Sequence, residues 1–466
     1  MNGAVDSAAP ARHDSAASVR QAWAAAEFLS RDALEALMLQ RLREQVRRLI
    51  DGNPFHRDRF RAAGVNADSL KSLDDLRRFP LMDKADVLAD SAEAPPFGRR
   101  LGVEPARIRE ILTSGGTAGK APEVHAFTLD DLETCIDLYA LDQYWKGARP
   151  GDVAMMVSQI GMLASPPLNV RAWERLGMPV LRVGPNTTEE RIAAFARFKP
   201  AVLKLPYVYA KRFMHACRAQ NVDPRRDVPN LKFVVTSGGA YPLAFAEEIE
   251  SFFGAPLHEV YGCSQAGSVV AGTCEAGASV GGERGLMHTF DHEFIVEVLD
   301  RETGQPVADG DEGELVITPL RREASPVFRY RMNDRVRFRR HGICGCGRPF
   351  AAFECGTVAR FDDMLRVKGV NMWIHDLDHL ILSHPRVDEF NGHLALDADG
   401  RERATILVEL HGEPAADAYR QIVTDLADRL RDAFRVRFDI EVVPHGTVRR
   451  FELKQRRWSD MRMDPS

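Results

Sequence analysis

The sequence predicts an α/β protein with more than one domain, and three features of the 466-residue chain support this. Between about 105 and 330, short continuous apolar runs alternate with helical stretches, which is typical of a mostly parallel sheet covered by helices. Residues 292–320 have the pattern of antiparallel strands joined by Gly/Asp turns. From about 361 onward, a separate strand–helix–strand pattern indicates a small α+β unit. The length also exceeds what one ordinary core accommodates.

Composition restricts the function classes. Hydrophobic residues make up 45% and charged residues 28% of the chain, as in soluble globular proteins. The formal net charge of -5 argues against a nucleic-acid-binding face. We find no apolar run of the roughly 18 residues that a membrane span requires, so we expect no membrane association. Seven cysteines in a chain without a recognisable signal peptide favour reduced thiols or metal ligands, and hence a cytoplasmic location.

The individual elements follow from periodicity. Residues 31–50 place their apolar side chains on one helical face, with Asp32 as the predicted N-cap. The predicted strands of the parallel sheet are 152–158, 179–184, 201–206, 232–239 and 257–262, separated by helices near 189–197, 207–219 and 243–253. In the C-terminal part, we predict strands at 404–410 and 437–443, with a helix between them that carries an apolar stripe from Tyr419 to Leu430.

The stretch "TSGGTAGKAPE", residues 113–123, has the composition of a phosphate-binding loop. It is not a P-loop, because only three residues separate Gly115 from Gly119 and Ala121 replaces the metal-binding hydroxyl. A strand pattern follows it, whereas a P-loop must open a helix. A hairpin of this kind can still grip phosphate through hydroxyls, close backbone N–H groups and one ammonium. The candidate residues are Thr113, Ser114, Gly115, Gly116, Thr117, Gly119 and Lys120. An ordinary Gly/Ser surface turn is the alternative.

This loop resembles the phosphate-binding signature of the adenylate-forming enzymes, and most of all that of the phenylacetate–CoA ligase branch. Five further segments resemble motifs of the same family, and they occur in the family's order. They are "SGGAYPL" (237–243), "YGCSQAG" (261–267), "ASPVFRYRMNDRVRF" (324–338), "ARFDDMLRVKGVN" (359–371) and "RRFELKQRRW" (449–458). The resemblance covers nearly all of the chain after residue 30.

The resemblance implies a division into domains. Residues 31–360 would form a large N-terminal AMP-binding domain with mostly parallel sheets plus a small β-barrel-like subdomain. Residues 361–466 would form a small, mobile α+β C-terminal domain. The Ala/Ser-rich residues 1–30 are expected to be a disordered or fraying tail.

The resemblance also implies a two-step reaction. A carboxylic acid, expected to be aromatic, attacks the α-phosphate of ATP to give an acyl-adenylate, and the thiol of CoA then displaces AMP. ATP, Mg²⁺ and CoA are the implied cofactors, and a homodimer is an open possibility. One alternative is transfer of the acyl group to a carrier-protein thiol or to an amine, as in an amide synthetase. A second alternative is an inactive protein that only binds nucleotide or acyl groups.

Several residues match family positions with a known role. Lys454 would be the adenylation lysine, which places an ammonium between the carboxylate and the α-phosphate. Asp334 would accept the ribose hydroxyls, with Arg360 as an additional donor. The remaining nucleotide contacts would come from Gly239, Ala240, Tyr241, Tyr261, Gly262, Cys263 and Ser264. Without the resemblance, Lys454 would be read as one cation in a solvated charge run.

Domain rotation is implied by the segment 359–371. Asp362 matches the hinge about which the C-terminal domain turns after adenylation. Gly369, Val370 and Asn371 match the loop that then lies beside the incoming thiol. Such alternation can limit turnover.

Two residues depart from the family. Gln265 stands where the family usually has a glutamate that helps hold Mg²⁺, and we list it with Lys454 as a catalytic candidate. An amide oxygen can coordinate a hard cation, but it carries no charge. Tyr241 stands where this branch often has an acidic residue.

The acid pocket is expected to involve residues 139–165. Its candidate residues are Tyr139, Tyr144, Gln159, Tyr207, Ala240 and Ala266.

A structural zinc site is also predicted. Cys274, His288, Cys344 and Cys346 supply three thiolates and one imidazole, the ligand set of a tetrahedral structural zinc. Some relatives in the phenylacetate–CoA ligase branch carry zinc at corresponding positions. The competing ligands are His292, His341 and Cys355, and a set of unmetallated reduced cysteines is the alternative.

Overall fold

The structure is a computed structural model that describes residues 26–114, 122–397, 400–412, 416–448 and 457–462. Eleven helices are described, together with four short 3-10 turns. The helices are α1 (Arg31–Gly52), α2 (Pro54–Ala62), α3 (Lys84–Glu93), α4 (Leu129–Trp145), α5 (Ser165–Arg175), α6 (Thr188–Phe198), α7 (Tyr207–Ala219), α8 (Pro224–Asp227), α9 (Leu243–Phe253), α10 (Ile374–Leu382) and α11 (Ala416–Phe434). None of the described helices is long and apolar enough to cross a membrane.

The strands of the N-terminal part account for most of the β structure. They are β1 (Glu110–Thr113), β2 (Val124–Phe127), β3 (Ala154–Met156), β4 (Val180–Arg182), β5 (Val202–Lys204), β6 (Phe233–Thr236), β7 (Leu257–Cys263), β8 (Ser268–Thr273), β9 (Ser279–Val280), β10 (Glu283–Arg284), β11 (Leu286–Thr289), β12 (Phe294–Leu299), β13 (Glu312–Pro319), β14 (Tyr330–Arg339), β15 (Ala352–Glu354) and β16 (Ala359–Arg360). The C-terminal strands are β17 (Met364–Val367), β18 (Val370–Trp373), β19 (Val387–Leu396), β20 (Glu402–Leu410), β21 (Asp439–Val442) and β22 (Trp458–Asp460).

A 12-stranded mixed sheet organises the N-terminal part. Its order is β12-β13-β14-β15-β11-β8-β7-β6-β5-β3-β4, with β16 pairing to β14. Strands β4, β3, β5, β6 and β7 run parallel, as the continuous apolar runs predicted. From β7 onward every pairing is antiparallel, so the predicted antiparallel segment continues the same sheet. The predicted α/β class is confirmed.

Parallel strands buried on both faces explain the apolar character of this half. The side chains of β3, β5 and β6 are buried throughout. Helix α4 begins where the hydroxyl of Thr128 accepts a hydrogen bond from the N–H of Asp131, and it is buried on most of its surface. The first helix, α1, begins at Ser30, whose hydroxyl accepts from the N–H of Ala33. The predicted N-cap Asp32 is therefore wrong, and this residue lies in the first turn, where an acidic side chain favours the helix dipole.

The C-terminal part has its own sheet and core. Four strands lie in the order β21-β20-β19-β22, with an antiparallel pair at the centre and parallel pairs at both edges. One cluster of buried apolar side chains runs from Leu34 to Val358, and a second runs from Leu365 to Trp458. The two parts of the chain contact each other at α7, where the ammonium of Lys211 donates to the carbonyl oxygen of Leu382 at 3.1 Å.

Candidate active site

The segments predicted to bind nucleotide follow the carboxyl ends of neighbouring parallel strands. Strand β6 leads into residues 237–243, and β7 leads into residues 264–267. In open α/β sheets this edge is where ligands bind, since the loops that leave parallel strands converge there. The β1–β2 hairpin joins them, because the hydroxyl of Ser264 donates to the carbonyl oxygen of Thr113 at 3.0 Å.

The hairpin base is closed by reciprocal hydrogen bonds between Ser114 and Glu123. The N–H of Ser114 donates to the carbonyl oxygen of Glu123 at 3.0 Å. The N–H of Glu123 donates to the Ser114 hydroxyl at 2.9 Å. The predicted phosphate-binding residues at the tip lie outside the described residues: Gly115, Gly116, Thr117, Gly119 and Lys120.

Gln265 lies against a buried carboxylate that the sequence analysis did not single out. Its amide nitrogen Nε2 is 2.9 Å from Oε2 of Glu123. The other carboxylate oxygen, Oε1, accepts from the hydroxyl of Tyr330 at 3.0 Å. Burial would raise the pKa of Glu123, but contact with His125 and hydrogen bonds from Tyr330 and Gln265 hold it below its usual value. The signal available in the sequence was an acidic residue that follows the glycine-rich loop and directly precedes strand β2.

The predicted ribose residues form one cluster. The hydroxyl of Tyr261 donates to Oδ2 of Asp334 at 2.5 Å, and Nη1 of Arg360 lies 3.4 Å from Oδ1. Asp334 and Arg360 face each other across the β14–β16 pair, so the sheet register brings them together. The carboxylate is thereby oriented from two sides.

The predicted adenine segment packs closely against Tyr207. A Cβ atom at Gly239 would lie 2.7 Å from the ring of Tyr207, so only glycine permits this approach. Ala240 and Tyr241 are buried, and the Tyr241 hydroxyl donates to Oε2 of Glu259 at 2.7 Å. Burial raises the pKa of this carboxyl to about 7. The side chain at position 241 therefore contacts a carboxyl group on the neighbouring strand β7.

The "YGCSQAG" motif turns sharply between β7 and β8. A Cβ atom at Gly262 would lie 2.8 Å from the carbonyl oxygen of Ser268, which explains the glycine. Cys263 accepts a hydrogen bond from the N–H of Ala266, and burial raises the pKa of its thiol to about 12. Ala266 is buried behind the turn. Cys263 is therefore a packed thiol, without the lowered pKa of a nucleophile.

The predicted acid-pocket residues are only partly brought together. Tyr139 is buried on α4, with its ring centroid 5.6 Å from the ammonium nitrogen of Lys204. Tyr144, on the same helix, instead packs beneath the guanidinium of Arg149 at 4.0 Å. Gln159 is exposed in the segment before α5.

Lys204 is a buried lysine at the carboxyl end of β5. Its ammonium donates to Oδ1 of Asn169 at 2.8 Å. Burial lowers its pKa to about 7, while the charge of Asp142 acts in the opposite direction. The sequence analysis missed it, because a lysine in an apolar strand run gives no sign of the direction in which it points.

Substitution of this lysine should stabilise the protein in a pH-dependent way. A lysine whose pKa is lowered by folding destabilises the folded state below pH 7, and this cost disappears as the pH rises toward 10.5. We expect Lys204→Met to have a higher free energy of unfolding than the wild type at pH 6.5. The difference between the two proteins should be smaller by about 3 kcal/mol at pH 9.5. Denaturant unfolding at both pH values measures it, with the exposed Lys232→Met as control. An advantage independent of pH would contradict the assignment.

The segment predicted to contain the hinge is described in part. Strands β17 and β18 form a hairpin whose two turn residues, Lys368 and Gly369, have φ of 49° and 82°, as a type I′ turn requires. Val370 lies at the start of β18, and Asp362 lies in a 3-10 turn at 361–363. The side chains of Asp362 and Asn371 lie outside the described residues, as does Lys454.

The four predicted zinc ligands lie together. One ligand atom from each of Cys274, His288, Cys344 and Cys346 falls within 4.8 Å of the others. The Sγ atoms of Cys274 and Cys344 are 3.7 Å apart, and Sγ of Cys346 is 3.4 Å from Nε2 of His288. The competing residues His292, His341 and Cys355 are not in this group.

Comparison with known proteins agrees with this geometry. The family described as "AMP-binding enzyme" matches residues 86–319. A phenylacetate–coenzyme A ligase of Aromatoleum evansii is 30% identical over 90% of this chain and 91% of its own length. A phenylacetate–coenzyme A ligase of Thermus thermophilus is 27% identical over 94% of this chain and 98% of its own length. The fold matches that of 2-hydroxyisobutyryl-CoA ligase in complex with an acyl-AMP, with a TM-score of 0.83, 22% identity and coverage of 93% of this chain and 91% of that one.

The matches to the family, the relatives and the solved structure cover the part of the chain that carries the motifs. The matched family region contains the hairpin, the 237–243 segment and the 261–267 turn. The curated relatives match 90% and 94% of this chain, so their match also extends into residues 361–466. The chain therefore belongs to the AMP-binding enzyme family, in the phenylacetate–CoA ligase-like branch of the AMP-forming acid–CoA ligases.

Proposed function

We propose that this chain activates an aromatic carboxylic acid of the arylacetate type as its acyl-adenylate and transfers the acyl group to CoA. The observation that carries the proposal is the oriented carboxylate of Asp334, held by Tyr261 and Arg360 beside the segments that resemble the family's nucleotide motifs. The names of the curated relatives support the acid class, since they are phenylacetate–coenzyme A ligases. The buried ring of Tyr139 suits a flat aromatic substrate.

The chemistry required of the protein is positioning and charge neutralisation. Both the acid and the α-phosphate are anionic, and holding them together lowers the entropic part of the barrier. The β1–β2 hairpin would hold the phosphates, Asp334 the ribose and residues 239–241 the adenine. Lys454 would place its ammonium between the two reacting anions and offset their repulsion. The amide oxygen of Gln265 would face Mg²⁺, which neutralises the phosphate oxygens when bound.

We further propose that residues 361–466 form a mobile domain hinged at Asp362. The separation of two apolar clusters near residue 360 supports this division. Arg457, three residues after Lys454, is anchored on this domain through ion pairs with Asp378 and Glu389. Burial raises the pKa of Tyr207, which packs on the adenine segment, to about 12, and the charges of Asp378 and Arg457 also act on its hydroxyl. This interaction supports an approach of the Lys454 segment to the nucleotide site.

A structural Zn²⁺ fits the cluster of Cys274, His288, Cys344 and Cys346. Tetrahedral zinc with Zn–S bonds near 2.3 Å places two sulfur ligands about 3.8 Å apart, and a sulfur and an imidazole nitrogen about 3.5 Å apart. The observed separations are 3.7 Å and 3.4 Å. Four protein ligands close the site, so its role would be to tie the 344–347 turn to β11.

ATP–pyrophosphate exchange against a panel of carboxylic acids tests the proposal. We expect exchange with arylacetates, and a CoA thioester as the product by mass spectrometry when CoA is present. Free acyl-adenylate that reacts with an amine or a carrier protein but not with CoA would favour the alternative acceptors. A folded protein that binds ATP but exchanges with none of the acids would overturn the proposal.

The role of Asp334 gives a separate prediction. Asp334→Asn keeps the size of the side chain and removes its charge, so the ribose hydroxyls lose a charge-assisted acceptor. Hydrogen bonds to charged groups contribute about 1.5–3 kcal/mol, so we expect the dissociation constant of ATP to rise roughly 10- to 100-fold. Equilibrium binding measures this effect, with the exposed Asp309→Asn as control. An unchanged ATP affinity would remove Asp334 from the nucleotide site.

A further inference from the structure

The hydrogen bond between Gln265 and Glu123 places a carboxylate beside the amide side chain at position 265. The family usually has a glutamate at position 265, and this chain has lost that charge. The structure places a different carboxylate against the substituted side chain, with Oε2 of Glu123 at 2.9 Å from Nε2 of Gln265. One negative charge is therefore present next to the Gln265 amide, carried by a residue of the hairpin base.

Glu123 is held rigidly. Its side chain is only 2% exposed, and its backbone forms both closing hydrogen bonds of the hairpin base with Ser114. The hydroxyl of Tyr330 donates to Oε1 at 3.0 Å, and Nε2 of His125 lies 3.3 Å from Oε2. A carboxylate contacted on both oxygens cannot rotate freely, so its orientation toward Gln265 is determined by the fold.

This arrangement fixes the direction of the Gln265 amide. An ionised carboxylate is an acceptor only, so the amide group that contacts it must be the NH₂. The amide oxygen then points away from Glu123. It is the only atom of this side-chain amide suited to coordinate a hard cation. Because Ser264, the preceding residue, bonds to Thr113 at the hairpin, the turn that carries Gln265 lies where the hairpin meets the sheet edge.

We propose that Glu123 is a positioning residue of the Mg²⁺–nucleotide site, acting through Gln265. It holds the amide oxygen toward the cation and supplies the negative charge that a glutamate at 265 would carry. The inference rests on the proposed function only in requiring that the chain binds ATP with Mg²⁺.

Three variants test this relation. Glu123→Gln removes the charge without changing size, Gln265→Glu places two carboxylates in contact, and the double variant exchanges acid and amide. The readout is the ATP dissociation constant with Mg²⁺ and with EDTA, which does not depend on which acid is activated. A role limited to folding would move both constants together. Glu110→Gln is the matched control, since Glu110 is a paired glutamate in the same hairpin.

Mg²⁺ should strengthen ATP binding about tenfold less in Glu123→Gln than in the wild type, which corresponds to the loss of one charge interaction of about 1.4 kcal/mol. The ATP dissociation constant in EDTA should change little. The double variant should return to within about threefold of the wild type. The Glu110→Gln protein should behave as wild type.

Two results would overturn the inference. One is an unchanged Mg²⁺ effect in Glu123→Gln. The other is a double variant no better than that single variant. If Glu123→Gln does not fold, the double variant decides the question, since it retains one acid and one amide. A wild type that does not bind ATP with Mg²⁺ would instead contradict the proposed function.

Discussion

Lys454→Ala is expected to lower acid-dependent ATP–pyrophosphate exchange by about a thousandfold, as the loss of one preorganised electrostatic group does in other active sites. The physical reason is that this ammonium is the group proposed to offset the repulsion between a carboxylate and a phosphate. The second half-reaction, in which CoA displaces AMP, does not require this ammonium to offset the repulsion between a carboxylate and a phosphate. Thioester formation from supplied acyl-adenylate and CoA should therefore fall less than about tenfold.

The comparison needs a neighbouring cation as control. Arg450→Ala removes one positive charge from the same basic run and should leave exchange within about threefold of the wild type, since a general charge effect is weak in solvent. Equal losses in the two variants would show that only the charge of the run matters. Full exchange activity in Lys454→Ala would remove this lysine from the mechanism.

Loss of one zinc ligand is expected to have the second-largest effect, on stability. Protein purified without chelator should contain about one zinc per chain by elemental analysis, and Cys346→Ala should contain little. A closed four-ligand site contributes folding free energy. We expect the melting temperature to fall by roughly 4 °C, corresponding to about 3 kcal/mol in a domain of about 330 residues.

Cys217→Ala serves as the control for this experiment. Cys217 is a buried cysteine on α7 outside the four-residue cluster, so its truncation tests the cost of a small cavity alone. It should keep the metal and lose less stability. Wild-type protein without zinc, or an equal loss of stability in both variants, would contradict the zinc assignment.

The two departures from the family show the same physical pattern. Gln265 contacts Glu123, and Tyr241 contacts Glu259, so in each case a carboxyl group distant in sequence accepts a hydrogen bond from the substituted side chain. Glu123 has a lowered pKa and is therefore charged, whereas burial raises the pKa of Glu259 to about 7. A residue-by-residue comparison of the motifs shows only that the family's acidic residue is missing, because the carboxyl group that contacts the substituted side chain lies elsewhere in the sequence.

The sequence by itself determined the fold class, the positions of the parallel strands along the chain and the family. These features depend on local periodicity and on motifs whose residues are adjacent along the chain. Continuous apolar runs predicted β3, β5 and β6, and the strand pattern after the glycine-rich loop excluded a P-loop.

Only the tertiary structure decided which charges meet. The partners in Gln265–Glu123 and Tyr261–Asp334 are separated by 142 and 73 residues along the chain, and the tertiary fold brings each pair within hydrogen-bonding distance. The same applies to Lys204, whose burial depends on α5 supplying Asn169. Such pairs leave no local pattern, since their free energy comes from contacts between strands and helices that are distant in sequence.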